Sequence, residues 1–222
     1  MSEPEIAPAR RSRRRAARWV LLAISAVVVA LLVVIAIIVV PILTHRDQGE
    51  STQEQTGEDW PTEVVANGDD GRDRELSIVG EDGEPVDPSA LVPGQRIVVS
   101  GAGFDGGQGI YVAICVIPED AATKPGPCIG GVPEQDEGVI EPGTVQWSPS
   151  TWINDDWAWK LFGARSYDDP ATGAFTAYLE VGEPTGEGID CLEQRCGIVT
   201  RNDHTAAGDR VQDVRIPVAF AG

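Results

Sequence analysis

Between Trp19 and Leu43 the chain carries no charged side chain, and the run VLLAISAVVVALLVVIAIIVV is almost wholly aliphatic. At ~1.5 Å rise per residue it exceeds the ~30 Å hydrocarbon core of a bilayer. Backbone in lipid must satisfy its own hydrogen bonds, so the pattern predicts a transmembrane helix at 19–43 despite its β-branched content. Residues 44–74 are polar and acidic with almost no apolar period, which predicts a flexible stalk. From Glu75 a two-residue period takes over. Leu76–Gly80, Gln95–Ser100, Gly109–Ile117 and Gly197–Thr200 read as strands between turns. Phe175, Ala177, Leu179 and Val181 share one face of a further strand, and Val214, Ile216, Val218 and Phe220 share one face of the last. These patterns predict an all-β domain over 75–222, built as an antiparallel sandwich behind one helix. The chain of 222 residues leaves 178 after residue 44, enough for one domain with its own core. No internal repeat is visible.

Charge sets the direction of the helix. In residues 1–18 six arginines face only Glu3 and Glu5, giving +4, which leaves −22 for the rest of a chain whose net charge is −18. Only Arg46 follows soon after the helix, so the positive-inside rule places a basic tail, residues 1–18, in the cytoplasm and the β domain outside the cell membrane. The apolar run is too long for a cleaved signal peptide, and Pro41-Ile42-Leu43 is a poor peptidase exit. Arg10-Arg11 suggests a twin-arginine signal, but such clusters also flank ordinary anchors. No Cys stands at the membrane exit for lipoprotein processing. A single-pass signal-anchor is the expectation. The strongly acidic remainder excludes nucleic-acid binding through a bulk field and fits an exposed, soluble domain.

Four cysteines, Cys115, Cys128, Cys191 and Cys196, fall on the exported side and read as two disulfides. Three pairings are possible on paper; the local one, 115–128 and 191–196, closes the shortest loops. A metal reading is weaker, because there is no C-x-x-C and His45 and His204 lie far apart.

The segment Leu91-Val-Pro-Gly-Gln-Arg-Ile-Val-Val-Ser-Gly-Ala-Gly-Phe104, with Tyr111 and Cys115, resembles the first half of the neocarzinostatin-like chromoprotein apoproteins. These are actinobacterial secreted domains. Phe175–Val181, the Cys191-x₄-Cys196-Gly-Ile loop and Ile216-Pro-Val-Ala-Phe220 resemble their second half. The resemblance covers roughly residues 76–222 and implies an immunoglobulin-like β-sandwich in which Cys128 partners Cys115. Chromophore storage is not carried over: this chain has an anchor, an insertion at about 129–172 and a distinct Thr200-Arg-Asn-Asp-His204 segment. A shorter similarity, Cys196–His204 with Asp209–Asp213 and Pro217–Phe220, is to actinobacterial haem-transport-associated surface domains. It implies Tyr111 as an axial haem ligand supported by His204.

The insertion holds four of the six tryptophans, Trp147, Trp152, Trp157 and Trp159. Ser148-Pro149 could cap a helix bearing Ile153, Trp157 and Leu161 on one face. Asn154-Asp155-Asp156 could instead turn a hairpin, and an irregular extension containing that hairpin is the preferred reading. Exposed, the rings would form a binding surface; packing against the sandwich is the reading preferred. His204 in its polar loop reads as a local turn contact, and Asp209, Arg210, Asp213 and Arg215 as a surface charge lattice. No G-x-S-x-G, H-E-x-x-H or phosphate-binding glycine loop is present. The expectation is a membrane-tethered, non-catalytic binding or interaction module of the cell envelope, with no cofactor. The alternatives are a carrier of haem or a small hydrophobic ligand, and an accessory subunit of a membrane complex.

Overall fold

The computed structural model describes residues 10–54, 57, 59–131, 145–186 and 188–221, with side chains from Arg18 onward except Pro41. The chain divides after His45 into a helical unit and a β unit. Helix α1 spans Arg10–Thr44, and its segment Arg18–Thr44 is long and apolar enough to cross a membrane. The helix thus starts inside the stretch assigned to a basic tail. Arginine and alanine are good helix formers, and nothing in Arg10–Arg18 breaks the run.

The β unit contains β1 (Ser51–Gln53), β2 (Glu63–Gly68), β3 (Asp73–Gly80), β4 (Arg96–Ala102), β5 (Ile110–Val116), β6 (Ser150–Ile153), β7 (Phe175–Glu180), β8 (Thr185–Gly186), β9 (Ile189–Asp190), β10 (Cys196–Asn202) and β11 (Val214–Val218). One sheet has the order β1-β2-β3-β4-β7 and the other β11-β10-β5-β6; β8 and β9 form a separate ribbon. All strand neighbours are antiparallel. Inward residues of the two sheets meet in one core. Leu76, Ile97, Val99, Phe175 and Leu179 come from the first sheet; Ile110, Val112, Ile114, Ile198 and Ile216 come from the second. Phe104 packs edge-on against Phe175 with centroids 5.0 Å apart. Each such side chain contributes roughly 1.5–3 kcal/mol by leaving water.

The expected stalk is largely part of this domain. Val64 and Ala66 of β2 are fully buried, so Glu63–Gly68 has a true strand period. Gln48 N donates to the Asp209 carboxylate (3.0 Å) and Arg210 N donates to Gly49 O (3.1 Å). The Gln53 amide bonds both the carbonyl and the N–H of Arg215, at 2.8 and 3.0 Å, tying β1 to the far sheet. These are non-local hydrogen bonds, most of them between a side chain and the backbone, which an acidic local composition does not forbid.

The disulfides are Cys115–Cys128 and Cys191–Cys196. The first pins the segment after β5 over the outer face of the second sheet, where Cys128 covers Ala113 and Val199. Part of the insertion, residues 132–144, lies outside the described residues. The rest builds structure. Ser148 bonds β7, with Glu180 N donating to its carbonyl at 3.0 Å, and two residues later the chain joins the other sheet as β6, beside β5. The expected hairpin does not form. Asn154 accepts from Asp156 N, and Asp156 accepts from Ala158 N, both at 2.9 Å, so these side chains cap a one-turn helix, α2 (Trp157–Lys160).

Candidate functional site

The register of the second sheet assembles a row on its outer face. Trp152 pairs with Tyr111 across β6 and β5, and Arg201 pairs with Tyr111 across β10 and β5. The Tyr111 and Trp152 rings lie 5.9 Å apart, and the Arg201 guanidinium sits 5.8 Å from the Tyr111 centroid. After β10 the chain turns into a 3₁₀ helix, His204–Ala206, with Asp203 as its cap. This brings His204 Nδ1 to 3.0 Å from the Tyr111 hydroxyl. With the ring proton on Nε2, Nδ1 accepts the phenol proton. His204 is therefore not a local turn contact but meets a residue on another strand. Trp159 stands edge-on to the His204 ring at 4.7 Å and lies 5.7 Å from Trp152.

Asp203 holds the group together. Fully buried, its Oδ2 accepts from Trp152 Nε1 and Asn154 Nδ2, both at 2.9 Å. Its Oδ1 accepts from the backbone N–H and hydroxyl of Thr205. Burial, with the Asp203 charge added, pushes the Tyr111 phenol up to about 12, although Arg201 pulls the other way. Burial likewise lowers the Arg201 guanidinium from its usual value.

The structure separates the four insertion tryptophans. Trp152 is buried, and Trp159 is half-buried on Trp152 and His204. Trp147 lies elsewhere, half-buried against Tyr178 of β7 and under the Arg96 guanidinium, each at 5.3 Å. Only Trp157 projects into solvent, at 62% exposure, joined by Leu161 at 69% and Phe162 at 58%. Phe162 also reaches Trp159, with centroids 6.2 Å apart. Packing explains three of the rings, and the fourth opens an apolar tip. Ala158 is the buried anchor of α2, which forces its neighbours outward. Sequence pattern does not assign these roles to Asp203, Arg201 or Phe162; the run Asn154-Asp155-Asp156, expected to turn a hairpin, is the one local signal, and it caps α2 instead.

The charge lattice expected at the C-terminal end is partly interior: Asp209 is 1% and Arg210 4% exposed. Arg210 pairs with Asp213 at 3.0 Å. Among the described residues no group of three His, Cys, Asp or Glu side chains is placed to hold a metal ion. A cavity beside Trp152 and Arg165 has a volume of about 40 Å³, far below the ~300 Å³ or more of ligand pockets. A larger open depression of about 390 Å³ lies among Glu81, Asp82, Glu84, Asp87 and Arg96, remote in sequence from the aromatic group and lined mainly by polar groups.

The thiamine biosynthesis protein X of Corynebacterium glutamicum is 30% identical to this chain over 140 residues, covering 61% of each protein. The chain therefore spans about three fifths of that relative's length. No family model matches the chain. No solved structure matches it.

Proposed function

We propose that the chain is a single-pass, membrane-tethered, non-catalytic binding module of the bacterial cell envelope, with its N-terminus cytoplasmic and its β domain outside. The observation that carries this reading is the apolar tip of Trp157, Leu161 and Phe162, held out on a capped turn above a buried hydrogen-bonded base. Exposed aromatic and aliphatic side chains on a rigid support are what binding surfaces use. The arginine-rich start of α1 and the two disulfides support the orientation. A neocarzinostatin-like, immunoglobulin-type ancestry of actinobacterial origin accords with the two-sheet sandwich and its short disulfide loops. The relative's name speaks of thiamine biosynthesis; no residue role is transferred from it.

The test places a photo-crosslinking amino acid at Leu161 or, as a control, at the also exposed Leu192, in the full chain in its native membrane. A defined adduct from position 161 that position 192 lacks is expected. Equal labelling at both would remove the binding surface.

A second reading, a haem or small-ligand carrier, has one observation in its favour: the Tyr111–His204 contact at 3.0 Å. The upward shift of the phenol to about 12 works against it, because a phenolate ligand needs the opposite. Titrating haem into the purified chain tests it; a Soret shift abolished by Tyr111→Phe would favour the carrier.

A further inference from the structure

The tether and the apolar tip are connected to the same end of the β domain. Helix α1 ends at Thr44, and Gln48 is already hydrogen-bonded to Asp209, so only residues 45–47 intervene. Extended backbone covers at most ~3.6 Å per residue, which limits this leash to about 14 Å. Asp209 in turn accepts from Asn202 Nδ2 through its carbonyl at 3.2 Å. Asn202 ends β10, and the next residue, Asp203, holds Trp152 and Asn154 beneath α2. The entry of the chain and the Trp157 tip thus share the loops that close one end of the sandwich. The Cys191–Cys196 disulfide lies at the opposite end of β10.

On this basis, and resting on the tethered-module reading above, we infer that the apolar tip seats in the interface of the bilayer that α1 crosses. Trp, Leu and Phe are the side chains that partition into the zone between headgroups and acyl chains. Charge decides the kind of lipid surface. Lys160, the cation of α2, is paired with Asp155 at 2.7 Å, and the chain beyond residue 18 is strongly negative. The tip therefore engages a zwitterionic surface through apolar insertion, and anionic lipid weakens the contact. The short leash keeps the domain beside one bilayer at all times, so even weak insertion becomes an intramolecular event at high effective concentration.

The full chain carrying Trp19→Phe, which removes the tryptophan within α1, is reconstituted in phosphatidylcholine vesicles. Part of the lipid is brominated on acyl carbons just below the headgroup. Bromolipid is expected to quench tryptophan emission; Trp157→Phe removes most of that quenching and Trp60→Phe leaves it in place. Leu161→Ser with Phe162→Ser lowers it and opens Trp157 to acrylamide, while the disulfides and circular dichroism stay unchanged because all three side chains are exposed. If Trp157 is untouched by bromolipid and freely quenched by acrylamide, the inference is wrong. If Trp157 is shielded from acrylamide yet not quenched by bromolipid, a second copy or another protein covers the tip. The lipid assignment then falls while the binding-module reading stands.

Discussion

Replacing Asp203 by alanine removes the acceptor on which the aromatic group is built. The carboxylate is fully buried and receives Trp152 Nε1, Asn154 Nδ2 and the backbone N–H and hydroxyl of Thr205. Each buried donor left without a partner costs ~1–3 kcal/mol, and loss of a helix cap costs ~0.5–2 kcal/mol. Trp152 and Asn154 share one oxygen, so their losses are coupled and do not simply add. Water entering the vacated space offsets part of the total, which leaves a destabilisation of about 4 kcal/mol. That is a large share of the ~5–15 kcal/mol that holds an ordinary domain. Asp203→Asn keeps the shape but turns an NH₂ toward donors at one oxygen, and is expected to cost about 2 kcal/mol. Asp155→Ala, which breaks only the partly exposed ion pair with Lys160, should cost under ~1 kcal/mol. Urea unfolding of the full chain in detergent micelles, followed by circular dichroism and tryptophan emission, reads all three. A loss below ~1 kcal/mol for Asp203→Ala would show that the carboxylate does not hold the aromatic group, since one with four donors cannot be so cheaply removed.

Burial pushes the Asp213 carboxyl up to about 7, against the opposing charges of Arg210, Lys124 and Arg201. The unfolded chain ionises this group near ~4, so it releases its proton first as pH rises, and the domain loses stability between pH ~4 and ~7. Asp213→Asn should flatten that slope in urea midpoints measured across the window; parallel wild-type and variant profiles would contradict the assignment. Gly103 has φ 78°, and a Cβ there would strike the carbonyl of Asp73. Gly103→Ala should therefore lower stability by about 3 kcal/mol, visible as a drop in melting temperature. Removing Cys115–Cys128, sequence separation 13, should cost about 3 kcal/mol, and removing Cys191–Cys196, separation 5, about 2 kcal/mol. Paired Cys→Ser variants compared by thermal melting would reveal whether that order holds.

The strands legible in the sequence are those with one face in the core and one outside. β7 and β11 alternate buried and half-buried residues without a break. Helix α1 is equally plain, because its uncharged aliphatic run is long and apolar enough to cross a membrane as a helix. β6 has no period to read, since all four residues of Ser150–Ile153 are buried: Ile153 lies in the core, and Trp152 on the other face is covered by Trp159 and His204. β1 and β2 are hidden by acidic surroundings, although Val64 and Ala66 alternate correctly. Residues 46–54 are fixed to the domain by the pairing of β1 with β2 and also by bonds to Asp209, Arg210 and Arg215, more than 150 positions away, which no local pattern contains. The site behaves the same way. Tyr111 and His204 could be named from a resemblance, but Asp203 owes its role to Trp152 and Asn154, about fifty positions earlier. Burial also inverted the expectation for Arg210, whose charge alone suggested a surface position.

In the proposed topology an intact anchor holds this β domain outside the cytoplasmic membrane. Protease added to intact protoplasts, followed by mass spectrometry of the membrane-retained fragment, is the decisive experiment. Digestion of the β domain is expected, with a protected fragment that includes the arginine-rich segment before Trp19 and ends soon after Thr44. A full-length chain protected until the membrane is breached, or a mature N-terminus beyond residue 40, would contradict this topology.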